Sequence, residues 1–226
     1  MNKRLAAIGA IAGLASAILL TIGFPSFGNA FNFACSPHDG AAAVVRALPW
    51  SGSESVEIRI PASVHFKAGT QWQATATGPE TILKHLQFNN GKLEFDQSMN
   101  LCDAELQIEL TGPNVRHWVL AGSGKLELEQ MDQENLDVIL AGSGIVTASG
   151  KVERSKILIA GSGSAKLGHL VVNDASVQIR GSGNVDIAPV NIVEVEIGGS
   201  GNVRLWRKPK SVQTRIRGSG SIVDAA

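Results

Sequence analysis

Six copies of Gly-Ser-Gly stand in this chain of 226 residues, opening at Gly122, Gly142, Gly161, Gly181, Gly199 and Gly218. A Gly-x-Gly that follows a strand can cradle a phosphate, belong to a calcium-binding roll, or turn a corner. A dinucleotide fingerprint needs a third glycine and then a helix. In "GSGSAK" Lys166 takes that place and a strand pattern follows. A calcium-binding roll needs an aspartate at a fixed place in every repeat. Only "GSGNVD" offers one, Asp186, where the other copies have Glu127, Thr147, Lys166, Arg204 and Val223. A structural corner is the reading that survives.

Other residues of chemical interest are tested in the same way. His38, His65, His85, His117 and His169 are isolated, none at metal-ligand spacing, and no Gly-x-Ser-x-Gly elbow is present. Glu127, Glu129, Asp132, Glu134 and Asp137 crowd the first repeat and could mimic the acidic face of a polysaccharide-cleaving β-helix. They do not recur in later repeats, and a solvated acidic face explains them better. The expectation is no catalytic centre, no metal and no cofactor. The serines Ser123, Ser143, Ser162, Ser182, Ser200 and Ser219 would form a column of hydroxyls, either a polar ladder for a sugar or ice-like lattice or small residues bonded locally. The second reading is preferred.

Charge gives the better hint of binding. The chain is balanced, with 20 basic and 20 acidic residues, so no overall field argues for nucleic acid or an anionic membrane. Locally it is uneven. Residues 121–140 carry five acids against Lys125, whereas residues 201–226 carry Arg204, Arg207, Lys208, Lys210, Arg215 and Arg217 against Asp224. Trp206 stands on the outward phase inside "RLWRKPK". Trp206, Arg207, Lys208 and Lys210 are therefore the candidate binding residues, for an anionic glycan, a lipid phosphate or the acidic end of another copy. The structural alternative is that Trp206 shields the last turn while the cations discourage edge pairing.

The elements that position these residues follow from the period. Successive Gly-Ser-Gly copies are 20, 19, 20, 18 and 19 residues apart, the mark of stacked units. Counting from the first glycine, offsets −4 and −2 are Trp118 and Leu120, Val138 and Leu140, Ile157 and Ile159, Val177 and Ile179, Val195 and Ile197, and Thr214 and Ile216. Offsets +4 and +6 are Leu126 and Leu128, Val146 and Ala148, Ala165 and Leu167, Val185 and Ile187, and Val203 and Leu205. Even offsets share one face of a strand. The odd positions between them are largely polar and face water. Gly122 and Gly124, Gly142 and Gly144, Gly161 and Gly163, Gly181 and Gly183, Gly199 and Gly201, and Gly218 and Gly220 are the expected structural turns, each a kink between two short strands of one turn. Six such rungs span roughly 24 Å. The fold class is all-β: a parallel β-solenoid of short strands with Gly-Ser-Gly bends and an N-terminal antiparallel cap.

The lead-in reads as that cap. Val56, Ile58 and Ile60 alternate, as do Val64 and Phe66, then Trp72, Ala74 and Ala76. "ETILKHLQF" suggests a short helix, Asn89-Asn90-Gly91 a hairpin turn, and Leu106, Ile108 and Leu110 a further strand. With this lead-in, its "IP", "TGPETI" and "NNGKLEF" included, the array from about Ser53 to Asp224 resembles the bacterial family named putative auto-transporter adhesin, head GIN domain. The resemblance implies an exported β-solenoid, and more about fold than about activity.

The first 30 residues have the layout of a targeting segment: Lys3 and Arg4, an apolar run from Leu5 to Phe24, and small residues Gly28 and Ala30. Cleavage is expected after Ala30, with an uncleaved anchor as the alternative. The expected organisation is 1–30 signal peptide, 31–52 linker and 53–226 solenoid domain, divided into lead-in 53–115 and repeats 116–226. Export permits a disulfide between Cys35 and Cys102, the only two cysteines. The destination is the periplasm, the outer-membrane surface or the medium. The function read from this is a non-enzymatic binding or adhesion module of the cell envelope. A periplasmic structural or regulatory protein acting by homotypic stacking is the alternative, and a polysaccharide-active enzyme the weaker one. The partners are an envelope or surface ligand, glycan or protein, and a second copy. Nucleic acid is excluded, and membrane contact requires an uncleaved N-terminal segment.

Overall fold

The computed structural model describes residues 43–99 and 105–225. Ala30, Cys35 and Cys102 lie outside them, and with them the expected cleavage site and disulfide. The repeats form strands β8 (His117–Gly122), β9 (Lys125–Gly142), β10 (Ile145–Gly161), β11 (Ser164–Gly181), β12 (Asn184–Gly199), β13 (Asn202–Leu205), β14 (Ser211–Gly218) and β15 (Ser221–Asp224). Each pairs in parallel with the strand one turn away, so the chain winds a parallel β-solenoid of about five turns. Register puts Val138 opposite Ile157, Ile157 opposite Val177, and Val177 opposite Val195. The even-offset residues thus stack in columns, and Trp118, Leu140, Ile159, Ile179, Val146, Val185 and Ile187 are fully buried. One side chain in every two faces the axis, which is why a chain poor in aromatics can build a continuous core.

The bends are made of stacked backbone. Ser143 and Gly144 both donate their N–H to the Gly122 carbonyl at 3.0 Å, and Ile145 donates to Gly124 at 3.0 Å. A Cβ on Gly144 would come within 2.6 Å of the Gly124 oxygen, so the second glycine leaves no room for a side chain. The first glycine has φ +129° at Gly142, a conformation that L side chains rarely adopt.

The opposite bend is built differently. Strand pairing continues through it, so β9 to β12 each run 16–18 residues from one Gly-Ser-Gly to the next. It is irregular: register slips between Ala148 and Gly150, between Thr147 and Ser149, and between Leu167 and Val171. The outward face also has one apolar row, Val119, Ile139 and Leu158, in a set otherwise largely polar.

Strands β1 (Ala43–Ala47), β2 (Ser55–Ile58), β3 (Ser63–Ala68), β4 (Gln73–Pro79), β5 (Leu86–Asn89), β6 (Lys92–Phe95) and β7 (Gln107–Gly112) precede the repeats, with helix α1 (Glu80–Leu83) before β5. β2 and β3 stack in parallel on β8 and β9, Val56 on Trp118 and Phe66 on Leu128. They form an extra turn whose bend is Ile60-Pro61-Ala62. β6 and β7 lie parallel on the far side of β2 and β3. The antiparallel cap is completed by β5 on β6, β4 on β7 and β1 on β4. Asn90 and Gly91, with φ 50° and 75°, make the two-residue hairpin turn between β5 and β6. The helix is only four residues long and buries Ile82 and Leu83. Among the described residues no helix is long and apolar enough to cross a membrane.

Candidate binding groove beside Trp206

The outer face of the sheet that runs from β3 through β9, β10, β11 and β12 to β13 presents a row across the turns. Register sets Glu109 beside His65, then Glu127, Thr147, Lys166, Asp186 and Arg204. At its edge the chain inserts Gly168, which is extra relative to both neighbouring strands. Trp206 emerges at the end of β13, its N–H donating to the Ile187 carbonyl at 2.8 Å. Its side chain folds back over the inserted glycine. A Cβ on Gly168 would lie 3.0–3.3 Å from Cδ1, Nε1 and Cγ of the indole, so the five-membered ring rests on that glycine. The tryptophan remains 49% exposed.

Together these residues enclose a groove of about 410 Å³, walled by Glu127, Glu129, Thr147, Ser149, Lys166, Gly168, His169, Asp186 and Trp206. That volume falls within the roughly 300–1,000 Å³ of small-ligand sites. Several of the charges are matched. Arg204 approaches Asp186 at 3.9 Å, and the His65 imidazole lies 2.9 Å from Glu109 and 3.2 Å from Glu129. Burial alone would lower the His65 pKa, but hydrogen bonds and charge from Glu109 and Glu129 outweigh it and raise it above the ordinary value. Thr147 is different: its Oγ1 is enclosed and has no hydrogen-bond partner within the protein.

The structure separates the basic cluster read from the sequence. Trp206 walls the groove, while Arg207 and Lys208 are exposed and outside its lining. Lys210 donates to Asn191 Oδ1 at 2.7 Å. The acidic run is dispersed as well. Glu127 and Glu129 face the groove, Asp132 pairs with Lys151 at 3.5 Å, Glu134 pairs with Arg154, and Asp137 with His117 at 3.0 Å. The serines of the bends stand exposed in a column. Among the described residues no group of three His, Cys, Asp or Glu is arranged to hold a metal ion.

A larger, shallow depression of about 600 Å³ lies at the other end, between Trp50, Phe88, Asn89 and Asn90. It has no charged lining residue, and Trp50 there is packed on Trp72 and Phe88, with ring centroids 4.7 and 5.3 Å apart. These aromatics serve the cap. The groove beside Trp206 has the richer set of polar groups. The sequence marks Trp206 as a binding candidate and Glu127 and Glu129 as part of an acidic run, and register with the insertion at Gly168 brings them to one groove.

Solved structures share this architecture. A putative adhesin from Bacteroides fragilis superposes with a TM-score of 0.64 at 16% identity, over 80% of this chain and 96% of the other. A putative lipid binding protein from Parabacteroides distasonis gives 0.51 at 19% identity, over 83% and 98%. A putative adhesin from the same species gives 0.50 at 14%, over 82% and 98%. At such identities the likeness is one of fold. No curated protein matches the chain. Its sequence matches, over residues 54–209, the family described as putative auto-transporter adhesin, head GIN domain, and the chain belongs to that family.

Proposed function

We propose that the protein is an exported binding module of the bacterial cell envelope, adhesin-like in use, with no catalytic centre. The observation that carries this is the half-exposed Trp206 held over Gly168 at the edge of a polar groove. A large ring kept partly in water on a rigid sheet suits recognition, because little ordering entropy remains to be lost on binding. Family membership supports the adhesin-like reading. The expected targeting segment supports export, to the periplasm, the outer surface or the medium.

The test uses the full-length protein in its own cells together with the purified mature chain. Protease added to intact cells is expected to cut the protein, and the purified chain is expected to sediment with isolated envelopes. Trp206→Ala is expected to reduce that co-sedimentation while leaving thermal unfolding unchanged. Protection until lysis, together with no envelope binding, would remove the adhesin-like reading. Homotypic stacking is the second reading. One observation favours it: every residue of β14 is exposed, with Val212 at 45% and Ile216 at 42%. Concentration-dependent sedimentation that is lost in Val212→Lys with Ile216→Lys would support it.

A further inference from the structure

We infer that the groove beside Trp206 takes a neutral pyranose unit of a glycan. This inference rests on the binding-module reading above and names its ligand class.

Two observations select that class. The first is the indole. One face of its five-membered ring rests on Gly168, so the ring lies against the sheet while the residue is still half exposed. A flat apolar surface of this kind suits the C–H face of a sugar ring, which also carries a partly positive edge. The second is the charge of the walls. Glu127, Glu129 and Asp186 are set among Lys166, His169, the Asp186 partner Arg204 and the Glu129 partner His65. Along the row acidic and basic groups alternate, His65, Glu127, Lys166, Asp186 and Arg204, so that Lys166 and the neighbouring Arg204 offset part of the charge of the three carboxylates. An anionic ligand would meet three carboxylates, and a cationic one would meet Lys166 and Arg204. A neutral polyol can donate to the first and accept from the second, and hydrogen bonds to ionised groups are the stronger ones.

The geometry also explains the role of the insertion. Gly168 has an unstrained φ, so its lack of a side chain answers to the indole above it rather than to the backbone. A larger residue there would lift Trp206 off the sheet.

The test measures binding of neutral hexasaccharides (malto-, cello-, laminari- and chito-oligosaccharides) to the mature chain by Trp fluorescence titration and by retardation in glycan-containing gels. Oligogalacturonate and heparin hexasaccharide serve as anionic probes. At least one neutral oligosaccharide is expected to bind, with an affinity nearly independent of salt between about 50 and 500 mM, since no net charge is exchanged. Trp206→Ala is expected to weaken it by about tenfold or more. Gly168→Leu is expected to weaken it similarly, with Trp206 still present. The inference is overturned if only the anionic probes bind and salt removes them, or if neutral binding survives Trp206→Ala unchanged. Envelope co-sedimentation that is sensitive to Trp206→Ala, with no neutral glycan bound, would overturn this inference and leave the binding-module reading intact. Loss of both would remove the two together.

Discussion

Each turn of the solenoid has two kinds of bend, and they obey different rules. At Gly-Ser-Gly the backbone of one turn sits directly on the next, joined by amide-to-carbonyl bonds of about 3.0 Å, and no side chain fits between them. At the opposite bend register slips, Gln130 takes a φ of +56°, and Gly168 is inserted. Through the six Gly-Ser-Gly copies the first bend repeats almost without change, because a side chain on the second glycine would meet the backbone of the turn below. The second varies from turn to turn, and there the groove is found. Where the backbone stack leaves no space, a site cannot be built, so function is expected where the repeat is least regular.

The comparison can be broken most severely at the first bend. Gly163→Val would bring a Cβ within 2.5 Å of Leu140 Cδ2 and 2.8 Å of the Gly144 carbonyl, both in the turn below. A loss of about 3 kcal/mol or more, or failure to fold, is expected in urea or thermal unfolding. Retention of wild-type stability would show that the stack is looser than these distances imply. Residues beside the second bend should respond more gently. His65, whose pKa is raised by Glu109 and Glu129, contributes stability that is full below its ordinary value of 6.5. That contribution fades as pH rises through the higher folded-state value. His65→Gln should therefore flatten the pH dependence of the unfolding midpoint above about pH 6.5. An unchanged pH profile would mean that the imidazole is not held between the two carboxylates. The smallest effect is expected at the tip of the first bend. Ser162 is exposed between two constrained glycines, and Ser162→Ala should move stability by less than about 0.5 kcal/mol. A larger loss would assign the serine column a structural bond.

The sequence makes the stacked core readable because a period-two pattern is repeated at a fixed interval. Val138, Ile157 and Val177 fall where the even offsets place them, each opposite the next. The turn formed by β2 and β3 escapes notice, because its bend is Ile60-Pro61-Ala62 and contains no glycine to mark it. The groove escapes for a different reason. Glu127 and Trp206 are far apart in sequence and meet only through the register of several turns plus the extra residue at Gly168. Periodicity identifies which residues face outward, Trp206 among them. It does not give the lateral slip that decides which of them become neighbours. Arg207, Lys208 and Lys210 adjoin Trp206 in sequence, yet they follow the chain around the next bend, and Lys210 is engaged by Asn191.

The stacking of turns also has a mechanical meaning. Within the repeats the bonds that hold one turn to the next run along the axis of the solenoid, as in the contacts of Ser162 to Gly142 and Ser182 to Gly161. A load applied between the two ends of the described chain therefore falls on the outermost row first, not on all rows in parallel. The last turn, β14 and β15, rests on a neighbour on one side only. It should peel before the others, and each turn that follows would release 18–20 residues, or about 60–70 Å of extended chain. An attachment built this way would lengthen stepwise under tension, and because Trp206 follows β13 in the turn directly beneath the last, the groove would open with the second turn to peel.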